Sequence, residues 1–241
     1  MPDGSKETRT PSVQDKKSLL LAHTFIESLD DEDVDRLAQH ARLLTYGSGE
    51  TIFRKGDPGI SMLLVIKGCV RISTITSEAK EIVLNLIQAG EVVGEIALLD
   101  GKERSADATA IQFTEVLVLE RRDFLPILER NPRAAIRMLE VLCDRLRRTS
   151  EQVEDLILTN AVRFARVLVR LAEQFGNEVD VGTQIDLRLS QSELGKITGT
   201  TRETLNRQLA EWREQGIIAL ESGRIVIRNM RALKRIGDGD R

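Results

Sequence analysis

Between Leu43 and Leu119 the chain repeats one pattern, a short run of β-branched and aliphatic residues followed by a glycine. The runs are Thr51-Ile52-Phe53, Met62–Ile66, Val70–Ile75, Ile82–Ile87 and Glu115–Leu119, and Gly47, Gly49, Gly56, Gly59, Gly68 and Gly90 mark the corners. Many short strands at near-regular spacing imply an antiparallel jelly roll or barrel. Ahead of them, Asp30-Asp31-Glu32-Asp33 opens a helix to about Ala41, with its acids where the macrodipole favours them.

After Leu119 the period changes. Arg121 to Arg130 reads as a short helix halted at Asn131-Pro132. A long helix then runs to about Leu158. Its marks are Leu139, Leu142, Leu146, Thr149, Val153 and Leu156, at steps of three and four. Such a heptad seam predicts coiled-coil pairing of two identical helices; the alternative is a helix lying on its own domain. Arg145, Arg147, Arg148, Glu151, Glu154 and Asp155 are expected on the other, solvated faces. A hinge is expected near Leu158-Thr159, then an N-cap at Asn160 for a helix over Ala161–Phe175, ended by Gly176-Asn177. A polar connection leads to a strand at Ile185-Asp186-Leu187.

Composition excludes several classes. The 241 residues suffice for two domains. No run approaches the ~18 apolar residues of a membrane span. Met1 to Lys17 is polar, carries both signs of charge and lacks an apolar signal core, so it reads as a disordered tail and the protein as cytoplasmic. Cys69 and Cys143 are too few for a disulfide framework or a metal cluster and read as buried or spectator thiols. His23 and His40 show no metal-ligand spacing and are expected at the surface. No nucleophile–base pair, metal site or Walker loop appears, so the chain does not read as an enzyme.

The chemistry concentrates in Gly94-Glu95-Ile96-Ala97-Leu98-Leu99-Asp100-Gly101-Lys102-Glu103-Arg104-Ser105-Ala106. A glycine, one expected turn of helix and a tight turn at Asp100-Gly101 present backbone amides to an anion. Arg104 can fork two hydrogen bonds onto phosphate oxygens, and Ser105 adds a hydroxyl. Glu95 can accept from a sugar hydroxyl. Together they suit a molecule with one phosphate and one free ribose hydroxyl; the plain alternative is a hairpin with a solvated arginine.

At the other end, Ser190-Gln191-Ser192-Glu193 and Thr200-Thr201-Arg202-Glu203 both read as capping boxes, with Thr198-Gly199 as the turn between two short helices. Leu205, Leu209 and Trp212 share the buried face of the second helix. Glu203, Asn206 and Arg207 lie opposite, and Arg202 flanks them. A hairpin turning at Ser222-Gly223 follows as a wing. From Arg188 to Arg235 there are ten Lys/Arg against five Asp/Glu, although the whole chain carries a net charge of -3. A local basic domain in an acidic chain suits a DNA-facing surface; the alternative is a winged helix used only for protein contacts.

Gly94-Glu95-Ile96-Ala97-Leu98 followed by Arg104-Ser105-Ala106 resembles the phosphate-binding cassette of cyclic-nucleotide-binding domains. Gly49–Asp57 and Gly90–Glu95 extend that resemblance over the roll. Thr201-Arg202-Glu203-Thr204-Leu205-Asn206-Arg207 resembles the recognition helix of the cAMP receptor family, in which Ser-Arg-Glu-Thr-Val-Gly-Arg is typical; Asn206 departs from it. Thr149-Ser150-Glu151 matches the Thr-Ser pair with which that family reads adenine, one residue from each subunit. The alternative for Thr149 is a polar residue that sets coiled-coil register.

The resemblance implies an α+β chain with a tail over residues 1–18, a cyclic-nucleotide-binding jelly roll over 19–131, a dimerisation helix over 132–159 and a winged helix-turn-helix over 160–241. It implies a homodimeric transcription regulator that takes cAMP, with cGMP or another signal as alternatives within the fold, and a regulatory subunit without a DNA role as the alternative outside it. The expected effector residues are Gly94, Glu95, Ile96, Ala97, Arg104, Ser105, Ala106, Thr149 and Ser150. Those for DNA are Thr201, Arg202, Glu203, Asn206 and Arg207. The expected seam is Leu139, Leu142, Leu146, Val153 and Leu156. Partners implied are a palindromic double-stranded operator with TGTGA-like half-sites, a second copy of the chain and RNA polymerase, with no membrane.

Overall fold

The computed structural model describes residues 11–23, 26–77 and 79–239. They divide into two compact units, the described residues up to 79 with 83–146, and residues 80–82 with the described residues from 147 on. The elements in order are α1 (Val13–Leu21), α2 (Asp31–His40), β1 (Arg42–Tyr46), β2 (Thr51–Phe53), β3 (Ser61–Lys67), β4 (Cys69–Ile75), β5 (Glu81–Gln88), β6 (Val92–Val93), α3 (Glu95–Asp100), β7 (Asp107–Ala110), β8 (Thr114–Glu120), α4 (Arg121–Arg130) and α5 (Pro132–Asp155). Then follow α6 (Asn160–Phe175), β9 (Gly176–Val179), β10 (Gly182–Ile185), α7 (Gln191–Thr198), α8 (Arg202–Glu214), β11 (Ile218–Glu221), β12 (Arg224–Ile227) and α9 (Met230–Gly237).

The first unit is a roll of two sheets, ordered β1-β8-β3-β6 and β2-β7-β4-β5. Strand β3 shows why its apolar run is continuous rather than alternating. Leu63 and Val65 face inward, with Val116 and Val118 of β8 and Val70 and Ala108 of the opposite sheet. Met62 and Leu64 face outward, against Leu20 of α1, Leu37 of α2, Phe124 of α4 and Met138 of α5. A strand covered on both faces has no polar position to alternate with. Strands β1 and β7 escaped the reading of the sequence. Ala108 and Ala110 of β7 are buried, yet alanine carries no β-branched signature.

The tail assignment needs correction. Residues 1–10 lie outside the described residues, but 13–18 belong to α1. Ser12 and Asp15 form a capping box there, Lys16 Nζ donates to the Ala41 carbonyl at 2.8 Å and Leu20 is buried. A polar sequence forms this helix because capping and one apolar anchor hold it to α2.

Helix α5 ends at Asp155, short of the expected 158–159, and tightens into i→i−3 bonds at Leu156, Ile157 and Leu158. Ala134 and Met138 are buried, and Val141 packs with Met138 against the roll. That contact sets the helix's rotation. The outward row therefore runs Ile136, Leu139, Cys143, Leu146, Ser150 and Val153, all exposed, with Leu146 at 69%. Of the expected seam, Leu139, Leu146 and Val153 lie on this row. Leu142 is half-buried at its edge, and Leu156 stands beyond the end of the helix.

In the second unit the strands order β11-β12-β10-β9, and Phe164 of α6 stacks on Trp212 of α8 at 5.1 Å. The expected polar connection is itself the β9–β10 hairpin, and its second strand ends at Ile185 rather than continuing to Leu187. Thr159, not Asn160, is the N-cap of α6. The Ser190–Glu193 capping box forms as expected. Thr201 caps α8 by accepting from the Thr204 amide, so the box expected from Thr200 is absent. Ser222 and Gly223 both adopt positive φ, 50° and 77°, as a two-residue hairpin turn requires.

A charge at the centre of the exposed α5 row tests its role. Leu146→Asp is expected to convert a self-associated chain to monomer with helix content retained, as measured by sedimentation and circular dichroism. An unchanged mass would exclude this row as the seam.

Candidate functional site

The Gly94–Ala106 segment folds as α3 between two glycines in the left-handed region, Gly94 at φ 83° and Gly101 at φ 72°. Gly94 is required twice, because a Cβ there would also overlap the Arg104 Nη1 atom. Gly59 packs against the same helix; a Cβ at that position would collide with both the Ala97 Cβ and the Lys102 carbonyl. Arg121 Nε donates to the Leu98 carbonyl at 2.6 Å and so satisfies the end of the short helix.

Arg104 is not the solvated side chain of a surface hairpin. It is 5% exposed. Its Nη1 donates to the Gly94 carbonyl at 2.8 Å and its Nη2 to Ser61 Oγ at 3.1 Å. The guanidinium carbon lies 4.3 Å from the centre of the Phe53 ring, a cation–π contact. Its backbone is gripped as well: the amide donates to the Asp57 carbonyl, and the carbonyl accepts from the Gly56 amide. The Gly49–Asp57 stretch thus positions the arginine at both ends.

Glu95 is fully buried and accepts from Arg145 Nη1 at 2.5 Å. Arg145 Nη2 also donates to the Val92 carbonyl. This overturns the expectation that Arg145 lies on a solvated face; it reaches from α5 into the cassette. Burial pushes the Glu95 carboxyl above its ordinary range, against the pull of Arg145, its own amide and Arg104. Burial likewise lowers the Arg104 pKa, opposed by Glu95 and Asp57.

Two atoms of this cluster are buried with no hydrogen-bond partner among the described residues: Glu95 Oε2, an acceptor, and Arg104 Nε, a donor. Buried polar groups are nearly always satisfied. An unmet acceptor and an unmet cationic donor, close in sequence and electrostatically coupled, suit a ligand that brings a hydroxyl and an anion. The donor set therefore fits a nucleotide with a ribose hydroxyl and a phosphate. Ala97 and Ala106 are buried, whereas Ile96 and Ser105 are exposed. Thr149 and Ser150 are both exposed on α5, Ser150 within the apolar row and Thr149 beside it. Ser61, Phe53 and Arg145 carried no motif that singled them out, and Gly59 was legible only as a corner.

In the second unit, Gly199 at φ 62° turns α7 into α8. Arg202, Glu203 and Arg207 are exposed along α8, and Arg202 Nε donates to Gln191 Oε1 of α7 at 3.1 Å, which holds it at the helix start. Thr201 is exposed, with its hydroxyl engaged at the cap. Asn206 is half-buried, and its Oδ1 is enclosed without a hydrogen-bond partner among the described residues.

Comparison with known proteins gives a family for each of the two regions. Residues 43–131 match the cyclic nucleotide-binding domain family, and residues 162–236 match the Crp-like helix-turn-helix domain family. The cyclic AMP receptor protein of Thermus thermophilus is 34% identical over 216 residues, covering 89% of this chain and 97% of the relative. A CRP-like cAMP-activated global transcriptional regulator of Mycobacterium tuberculosis is 28% identical, covering 88% and 95%. Among solved structures, a CRP-family transcriptional regulator from Thermus thermophilus superposes with a TM-score of 0.69 at 25% identity, over 82% of this chain and 97% of that one. FixK2 from Bradyrhizobium japonicum, at 24% identity, shares the fold with a TM-score of 0.74, over 81% and 96%.

The raised Glu95 pKa has a definite sign. A carboxyl that titrates higher in the folded than in the unfolded chain contributes stability below the ordinary carboxylate range, and that contribution is lost as pH rises through the folded value. Urea midpoints of the ligand-free parent and Glu95→Gln, compared across pH, are therefore expected to shift in favour of the variant as pH rises through that window. A difference that does not change with pH would show that Glu95 is ionised at its ordinary value.

Proposed function

Since this chain belongs to the CRP-like, cyclic-nucleotide-responsive transcription regulators, a family of DNA-binding proteins rather than enzymes, we propose that its effector is cAMP and that cAMP controls binding to a palindromic operator. The observation that carries the effector reading is the buried pair of unmet groups, Glu95 Oε2 and Arg104 Nε. The ribose hydroxyl donates to the first and the cyclic phosphate accepts from the second, with Ser105 and the amides of α3 beside the phosphate. The relatives described as a cyclic AMP receptor protein and as a cAMP-activated regulator, and the adjacent hydroxyls of Thr149 and Ser150, support adenine over guanine. Arg145 gives the effector a route to α5, because ribose and Arg145 share one carboxylate. An effector shifts the equilibrium only by its differential affinity for two arrangements, and a carboxylate shared between ligand and dimer helix supplies such a difference.

The DNA reading rests on Arg202, Glu203 and Arg207 exposed on α8. Arginine forks onto guanine O6 and N7, and a carboxylate accepts from a cytosine amino group. Two copies joined along α5 present two such helices, so the operator mirrors the protein's two-fold symmetry. The protein acts in the cytoplasm and, as a regulator bound at an operator, contacts RNA polymerase.

Calorimetry with cAMP and cGMP tests the effector. Arg104→Ala is expected to lose roughly 1.5–3 kcal/mol, about ten- to a hundredfold or more in cAMP affinity, and Arg104→Lys to fall short of the parent because one ammonium cannot keep the Gly94 and Ser61 contacts and also present the Nε donor. Parent-like binding by the alanine variant would remove the cassette assignment, and tighter binding of cGMP would replace the effector.

Selection from random DNA by the cAMP-bound protein tests the operator. The expected product is a palindrome with half-sites about 10–10.5 base pairs apart or a multiple of that. Arg207→Ala is expected to cost roughly 1–3 kcal/mol per half-site and to relax one base pair. A non-palindromic product would exclude the symmetric reader.

A further inference from the structure

Asp155 is a buried carboxylate that neither site uses. It is the last residue of α5 and only 3% exposed, where the sequence pattern placed it on a solvated face. The C-terminal end of a helix carries partial negative charge, so a desolvated carboxylate there is doubly unfavourable. It is tolerated because α6 supplies two arginines one turn apart. Arg166 Nη1 lies 3.3 Å from Oδ1, and Arg170 Nη2 lies 2.6 Å from Oδ2. Arg166 also reaches the other way, its Nε donating at 2.8 Å to the carbonyl of Gly237, the last residue of α9. That carbonyl is one of the orphan acceptors at a helix end. Gly237 is buried against the arginine, and a Cβ on it would lie 3.3 Å from the Arg166 Cγ atom. One guanidinium thus joins the ends of α5 and α9 to α6.

Only residues 156–159 link α5 to α6, and Leu156, Ile157 and Leu158 are held by i→i−3 bonds, whose geometry is poorer than that of an α-helix. Left to themselves, four such residues would let α6 swing relative to the end of α5. We propose that Asp155, Arg166 and Arg170 are positioning residues that make the end of α5, α6 and α9 one body, so that a movement of α5 is delivered to the recognition helix rather than absorbed in the link. Phe164 and Trp212 complete the path, since their stacked rings join α6 to α8. The proposal rests on the effector reading above and adds to it the groups that carry the signal.

The quantity that separates transmission from simple stability is the coupling factor, the ratio of operator Kd without and with cAMP in the full-length dimer. Asp155→Asn and Arg166→Gln are each expected to lower this factor by about tenfold, within the usual range of allosteric coupling, while cAMP affinity measured without DNA stays within about twofold of the parent. The double variant is expected to lose less than the sum of the two single variants, because both break the shared Asp155–Arg166 contact. Arg166→Lys is expected not to restore coupling, since an ammonium lacks the fork that bonds both helix ends. Hydrogen exchange of the amides of residues 156–159, in the ligand-free protein, is expected to accelerate in Asp155→Asn.

An unchanged coupling factor in both single variants, or additive losses in the double variant, would overturn the proposal. If cAMP fails to alter operator binding by the parent, the effector reading falls, and exchange alone decides the junction: acceleration at 156–159 supports it, and parental rates overturn it. Should Asp155→Asn unfold, Arg166→Gln carries the same two measurements.

Discussion

A guanidinium taken out of water governs the N-terminal unit. Arg104 is buried, and the surrounding chain is arranged to make that tolerable. The Gly94 carbonyl and Ser61 hydroxyl receive its terminal nitrogens, the Phe53 ring underlies its plane, and the Gly56-Asp57 turn holds its backbone. Each of these demands something of the fold. Gly94 needs a left-handed backbone and no side chain, β3 must begin beside β2, and the segment 54–57 must close on residue 104. Buried charge persists only where hydrogen bonds replace water, so the cradle and the roll specify one another.

The same reasoning applies to Glu95. Its carboxyl is shielded from solvent, raised in pKa by burial and met on one oxygen by Arg145. The protein half-satisfies both buried ions and leaves one atom of each unmet. In a binding site this is a preorganised demand for a ligand carrying complementary groups. It also places α5 at the centre of the molecule's chemistry. One face of that helix, through Ala134 and Met138, packs on the roll; Arg145 enters the cassette; the outward row is apolar and exposed; and its last residue is clamped by α6. Four demands on one helix leave little freedom in its sequence.

Several of these demands were hidden from a reading of sequence because they follow from rotation. A step of three and four fits the row through Leu142 and Thr149 as well as the row through Cys143 and Ser150, since both contain Leu139, Leu146 and Val153. Packing of Met138 and Val141 against the roll chooses the second. Arg145 and Asp155 illustrate the same limit. Charged residues on an amphipathic helix read as solvated, and nothing local reveals a partner fifty positions away at Glu95 or on the following helix at Arg166 and Arg170.

The sequence by itself determined what short-range geometry dictates. Glycine corners and short apolar runs specified an antiparallel roll, a Gly-Glu turn followed by Arg-Ser-Ala specified the cassette, and Ser190 with Glu193 and the Thr198-Gly199 turn specified the two helices of the reader. These are contacts between residues within a few positions, where turn chemistry and periodicity act directly. Only tertiary structure decided that Arg104 is buried over Phe53, that Gly59 must stay bare beside Ala97, that Arg145 belongs to the cassette, and that residues 13–18 are helical. Each of those depends on groups distant in sequence competing for one buried place, and desolvation, which settles the competition, is a property of the packed molecule rather than of any stretch of chain.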